Sequence, residues 1–174
     1  NIYFILAHFN VFKNNNSVLE SEKLIAQNFK DPIIKELNLT LDPLSLKGFT
    51  KVFVSVKGTD LILENNCTSL TVMTNEYQAY SIEQGIKNRI DIRPTTHDLI
   101  SSILTDFNIT LLQAKIIANQ GQHFYARTIY KQGNRIMDID TKASDATALA
   151  VRMNVPVYVE NNLFYSKGTN VCKK

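Results

Sequence analysis

Histidine and aspartate stand side by side at His97 and Asp98, shortly after Arg93, at the head of the stretch "RPTTHDLISSIL". The first turn of a helix presents unpaired N–H groups and about half a positive charge, so it favours anions. Pro94 holds its predecessor extended, and Thr95 or Thr96 is placed to cap the helix. Positive potential there disfavours imidazolium, so His97 is expected to stay neutral, able to accept a proton or bind a metal. Asp98 is its candidate partner in acid–base work, and Arg93 a candidate phosphate ligand. The plainer alternative is an ordinary helix start, with Asp98 complementing the dipole and His97 donating to a carbonyl. Spacing alone favours the plainer one.

A second group lies in "DIDTKASDATALAVRM". In a strand Asp138 and Asp140 share one face, opposite Met137 and Ile139. A sharp turn then leads into a helix with Ser144 as expected N-cap and Asp145 in its first turn. Three carboxylates so close could hold a divalent cation, Mg²⁺ or Mn²⁺, through oxygen ligands. The metal-binding candidates are Asp140, Asp145 and the more distant Glu76, while Lys142, Ser144 and Arg152 could meet a phosphate. Against this, Asp138 could sit on a solvated face, Asp140 tie down the turn and Asp145 serve the cap. A third group, "QHFYARTIYKQ", puts His123, Tyr125 and Arg127 on one strand face. An aromatic ring beside an arginine can stack on a base or bind phosphate; it can equally be a sheet face with wet polar tips.

Positioning these residues requires a mixed fold. "TKVFVSVKG" is rich in β-branched residues and near-alternating, a strand ending at Gly58. "DLILEN" and "SLTVMT" flank the polar "NNC" as a hairpin, and "NEYQAYSIEQGIKN" has helical period. The helix that opens at His97 carries Leu99, Ile103 and Phe107 on one face, with Asn108 as a left-handed stop. "LLQAKIIA" and "QHFYARTIYKQ" are strands joined by "NQGQ", and "GN" turns into "RIMDID". "SDATALAVRMN" is a third helix and "VPVYVEN" a short last strand. The expected class is α+β: a mixed or antiparallel sheet with hairpins, packed against two or three helices. Residues 1–48 read as an N-terminal extension, 49–165 as the folded domain and 166–174 as a C-terminal tail. Within the extension, Ser17 and Glu20 have capping-box spacing before a helix over Val18–Phe29.

The chain has 174 residues, 44% hydrophobic and 20% charged, with a net charge of +3, which suits one globular domain and permits a polyanionic partner. Cys67 and Cys172 lie far apart and show neither a disulfide framework nor a metal motif, which favours a reduced, intracellular setting. Lys outnumbers Arg 14 to 5, beside 18 Asn and 18 Ile, the mark of an AT-rich genome such as a plastid's or some bacteria's. The sequons at Asn38, Asn66 and Asn108 fit chance in so Asn-rich a chain. "NIYFILAHFNVF" is too short and too interrupted for a membrane span, so it is expected to pack on the domain, with peripheral membrane contact as the lesser reading. Gly58, Gly85, Gly121 and Gly133 are isolated turn glycines. No Gly-rich phosphate loop, nucleophile elbow, CxxC or HExxH is present, which excludes the common NTPase, α/β-hydrolase and zincin readings.

Taken together, "RPTTHDLISSIL", "HFYARTIY" and "IDTKASDATALAVRMNVPVYVEN" resemble, in order and spacing, blocks of the bifunctional nuclease domain family, and "NEYQAYSIEQGI" matches a family helix more loosely. The resemblance covers roughly residues 52–163. His97, Asp98, Asp140, Ser144 and Asp145 match; Lys142 and Ala143 stand where the family usually has Arg-Pro, and Tyr77 replaces an alanine. Exchanging a bidentate guanidinium for a point charge weakens a phosphate clamp. The resemblance implies an α+β fold that self-associates and a nuclease acting on RNA or DNA. It supplies no mechanism by position.

The leading expectation is therefore a phosphodiesterase acting on RNA or DNA. His97, Asp98, Asp140 and Asp145 are its catalytic candidates, and Arg93, Arg127, Lys142, Ser144 and Arg152 its phosphate ligands. A divalent cation would sit at Asp140, Asp145 and Glu76. The alternatives are a non-catalytic regulatory module binding nucleic acid or protein, in which the matched blocks merely cap helices, and a small-anion sensor using the two helix starts.

Overall fold

The structure, a computed structural model, describes residues 42–172; the expected helix at 18–29, its Ser17–Glu20 cap and the apolar start all lie outside them. Eight strands form one mixed sheet: β1 (Phe49–Lys57), β2 (Asp60–Asn65), β3 (Thr68–Met73), β4 (Thr110–Gln120), β5 (His123–Gln132), β6 (Arg135–Lys142), β7 (Val157–Glu160) and β8 (Thr169–Asn170). Four helices accompany them: α1 (Glu76–Ile86), α2 (Thr96–Asp106), α3 (Ala143–Arg152) and α4 (Asn161–Lys167). The α+β expectation holds.

The sheet order is β6-β5-β4-β7-β1-β2-β3-β8. Hairpins account for most neighbours, and their turns fall where the sequence supplies residues that tolerate positive φ: Gly58, Asn66, Gly121 and Gly133. The exceptions are the edge strand β8, paired with β3, and β7, which runs antiparallel to β1 and parallel to β4; Val157 of β7 lies opposite Val52 on one side and Ala114 on the other. Val157 and Val159 are almost fully buried, consistent with a central strand.

Helix α3 packs over β4 and β5, with α1 and α2 against it. It is buried nearly all round through Ala143, Ala146, Thr147, Ala148, Leu149 and Ala150, so small side chains are what the crowding admits. Gly85 of α1 shows how close the approach is. A Cβ there would stand 2.6 Å from Val151 Cγ2 and 3.0 Å from Arg152 Nη1.

Two expectations change here, and the shared face of Leu99, Ile103 and Phe107 proves to be the outer one. The stripe Leu99, Ile103 and Phe107 faces solvent, exposed at 57%, 45% and 65%. Helix α2 packs instead through Ile100, Leu104 and the buried Asp98. Cys67 and Cys172 are disulfide-bonded across 105 residues, because strand pairing delivers the C-terminal segment to the β2–β3 turn; the argument for a reduced compartment goes with them. Residues 166–170, expected as tail, complete α4 and add β8 to the edge of β3. Among the described residues no helix is long and apolar enough to cross a membrane.

Candidate functional site

Helix α2 begins with a complete capping box. Asp98 N donates to Thr95 Oγ1 at 3.4 Å, and Thr95 N donates back to Asp98 Oδ2 at 2.8 Å. Thr95 Oγ1 also donates to the same carboxylate oxygen at 2.6 Å. The other oxygen, Oδ1, accepts from Arg152 Nε at 2.7 Å, and both side chains of this ion pair are only 6% exposed. Burial alone would raise the Asp98 carboxyl's pKa, but the Thr95 and Arg152 hydrogen bonds and the guanidinium charge outweigh it and hold it below its ordinary range.

Arg152, in the last turn of α3, reaches further. Its Nη1 donates to Ala148 O at 3.0 Å, and its Nη2 to Ser81 Oγ at 3.0 Å and Thr95 Oγ1 at 3.3 Å. Arginine only donates, so Ser81 Oγ accepts from it and keeps its own proton for His97 Nδ1, 2.9 Å away. Neutral His97 then carries its proton on Nε2, which faces Asp145 Oδ1 at 3.4 Å. Burial lowers the His97 pKa, and Arg152 pushes the same way; Asp145 and Asp98 pull it up, but the net direction is down. The lowered pKa favours the neutral imidazole. Desolvation, rather than helix potential, is the main cause.

Asp98, Arg152, Ser81, His97 and Asp145 thus form one polar chain through α1, α2 and α3. It contains a serine, a histidine and an aspartate, yet Ser81 is 4% exposed and already accepts from Arg152. A substrate carbon or phosphorus cannot reach that hydroxyl, so the set is not a nucleophilic triad. Only Asp145, with its side chain 36% exposed, opens substantially to water.

Next to this chain's outer end is a cleft of about 520 Å³. The end of β3 and the start of α1 form one wall through Thr74, Asn75 and Gln78. The start of β5 contributes His123, Phe124 and Tyr125, and the β6–α3 junction contributes Asp140, Lys142 and Ser144. Two helix N-termini open on it. That of α1 is capped by Asn75, whose side chain accepts from Gln78 N at 3.0 Å. That of α3 has Lys142 at its N-cap, with no side-chain cap bond. Ser144, expected to cap, lies instead inside the first turn and is buried at 7%, because the N-cap falls two residues earlier, at Lys142.

The expected site residues therefore separate. His97 and Asp145 meet, as do Asp140, Lys142 and Ser144 with His123 and Tyr125. Arg152 is withdrawn from phosphate duty by its burial against Asp98, which also removes Asp98 from solvent. Arg127 turns to Asp138, Nε to Oδ1 at 2.8 Å, outside the cleft lining. Arg93 and Glu76 are exposed and do not line the cleft. Among the described residues no group of three or more His, Cys, Asp or Glu is gathered as a metal-holding cluster; Asp140 lines the cleft, while Asp145 and Glu76 do not. Sequence reasoning missed Ser81. Its signal was the run of small residues Ala79, Ser81 and Gly85 on the buried face of α1.

Two relatives were found, both uncharacterized proteins of Mycobacterium tuberculosis, from the CDC 1551 and H37Rv strains. Each is 34% identical over 76 residues, covering 44% of this chain and 44% of the relative, so the match spans less than half of either. The model of the bifunctional nuclease domain matches residues 61–171, from β2 past β8 and including every cleft residue named above, and the chain belongs to that family.

Proposed function

We propose that this protein binds the phosphodiester backbone of RNA or DNA in the cleft at the β6–α3 junction and hydrolyses it there. The observation that carries the reading is the convergence of Lys142, Asp140 and two helix N-termini with Tyr125 and Phe124 in one open cleft. Lys142 and the first-turn N–H groups of α3 supply positive potential for a phosphate. The aromatic rings supply stacking surface for a base. Asp140 is the exposed carboxylate within the cleft, suited to orient a water or accept its proton. A Mg²⁺ or Mn²⁺ ion, if used, would be held mainly by substrate phosphate with Asp140 as protein ligand, as Mg²⁺ commonly is in phosphate-processing sites. His97 and Asp145 brace the start of α3 beside it.

The test is binding and cleavage of labelled single-stranded RNA and duplex DNA, with Mg²⁺ or with EDTA, by wild type, Lys142→Ala, Asp140→Asn, His97→Ala and Asp145→Asn. Lys142→Ala is expected to weaken binding, and Asp140→Asn to stop cleavage while binding persists. Equal cleavage by all five proteins would remove this cleft from the reaction. Absence of binding to either polymer would remove nucleic acid as the ligand.

One observation favours a second reading, a nucleic-acid-binding regulatory module without turnover. Thr95, Asp98 and Arg152, which stand in the family-like blocks, are spent on one another as a helix lock. Binding that persists in EDTA with no product would select it. For the assembly we propose a homo-oligomer, supported by the exposed Leu99, Ile103 and Phe107 stripe. For the setting we propose the interior of a plastid or of an AT-rich bacterium, supported by composition alone.

A further inference from the structure

We infer that the Cys67–Cys172 disulfide is a reducible clasp: a dithiol opens it, and strand β8 then leaves the sheet while the rest of the domain stays folded. Strand β8 is two residues long, both exposed, and β3 is its single neighbour in the sheet. Its register is Thr68 opposite Asn170 and Ser69 opposite Thr169. One further backbone bond, Val171 N to Cys67 O at 2.8 Å, continues the pairing toward the bridge. So short an edge strand has little intrinsic stability, and strand ends of this kind open locally at low cost. Beside the Thr169 Oγ1–Ser69 O bond at 3.3 Å and the local Cys172 N–Asn170 Oδ1 bond at 3.0 Å, the covalent link is the tie that binds this end to the β2–β3 turn.

The break has a natural limit on each side. Leu163 and Phe164 of α4 are buried in the core, so the chain N-terminal to β8 stays anchored. Gly168 lies between anchor and strand, where a side chain would run into Phe164 O and the Thr68 methyl group. Neither Cys67, Val171 nor Cys172 belongs to the hydrophobic core. Access is open too: Cys172 is exposed and Cys67 half-buried, at the β2–β3 turn.

The chemistry balances with a dithiol as the named co-reactant. Its thiolate attacks one sulfur to form a mixed disulfide, and the other cysteine leaves as a thiolate and takes a proton. The second thiol of the reductant, as thiolate, resolves the mixed disulfide. Two electrons pass to the protein, Cys67 and Cys172 end as thiols, and the reductant ends as a disulfide. Release bares the backbone N–H and C=O groups of Ser69 and the C=O of Cys67, an edge to which another strand can add.

The experiment treats the full chain, purified without reductant, with dithiothreitol under native conditions. It counts thiols by maleimide labelling and follows amide exchange at Val171, with Ile116 and Val159 as core references. Labelling of two cysteines, a rise of about tenfold or more in Val171 exchange and unchanged core protection are expected. Cys172→Ser should reproduce the Val171 result without reductant. The inference fails if two free thiols are present before reduction, or if labelling requires denaturant. It fails equally if Val171 exchange is unmoved, or if Val171 and the core lose protection together.

Discussion

Asp98 and Arg152 lie 54 residues apart and meet at 2.7 Å, each with 6% of its side chain exposed. One carboxylate caps α2 and fixes the guanidinium that holds α3 to α1. Removing either partner strands the other as a buried charge, which costs about 3–5 kcal/mol. Arg152→Met is therefore expected to lower the urea-unfolding free energy by that amount. Arg152→Lys should recover little, since one ammonium cannot reproduce a planar fork directed at Asp98, Ser81, Thr95 and Ala148. Chevron or equilibrium denaturation of the two variants decides it.

The same pair sets an acid limit. The folded-state pKa of Asp98 lies below its ordinary 3.8, so its contribution is present above that value and is lost as pH falls through the folded pKa. Wild type should therefore lose stability steeply below about pH 4, and Asp98→Asn should flatten that limb. Unfolding free energies measured over roughly pH 2.5 to 6 give the comparison.

His97 gives a separate window with the same sign of linkage, at higher pH, because its folded pKa is also lowered. Its folded pKa is lowered from 6.5, so below that value the unfolded chain binds more protons than the folded one. Stability is thus full above pH 6.5 and declines as pH drops through 6.5 toward the folded pKa. His97→Gln should remove this slope while leaving the Asp98 limb intact. An unchanged slope in the variant would mean that another group titrates there.

Gly85→Ala sets two effects against each other. Helix propensity gains about 1 kcal/mol, but the added Cβ meets Val151 Cγ2 at 2.6 Å and Arg152 Nη1 at 3.0 Å. Overpacking costs about 1–3 kcal/mol, and Arg152 cannot yield without breaking its ion pair. The variant should melt below wild type in calorimetry.

Lys142 supplies a point charge at the cleft, so Lys142→Ala should weaken nucleic-acid binding evenly across sequences. The log–log salt slope should fall by about 0.7 for single strands and about 0.9 for duplex DNA. Titrations at several salt concentrations measure it directly. A sequence-selective loss would place Lys142 against bases rather than phosphates.

Hairpins were legible because turn residues and alternation act locally: Asn66 and Asn108 take positive φ where the polar breaks predicted a turn and a helix stop. The meeting of His97 with Asp145 was legible only as a possibility, since two helix starts advertise themselves but not their distance. Burial was not legible at all. Arg152 looks like a phosphate ligand in sequence because spacing cannot tell a guanidinium facing water from one facing Asp98. Ser81 belongs to no motif, and the cysteine pair depends on β8 finding β3 across almost the whole domain.

Strand β7 has a consequence for synthesis. The two flanking groups, β1-β2-β3 and β4-β5-β6, are each contiguous in sequence and can form as soon as they emerge from a ribosome. Among the described residues, the strand pairing that joins one group to the other runs through the four residues Val157–Glu160. A nascent chain halted before Val157 would hold two strand groups linked through helix packing but with their seam edges bare, so completion of the sheet waits on a segment made late in the domain.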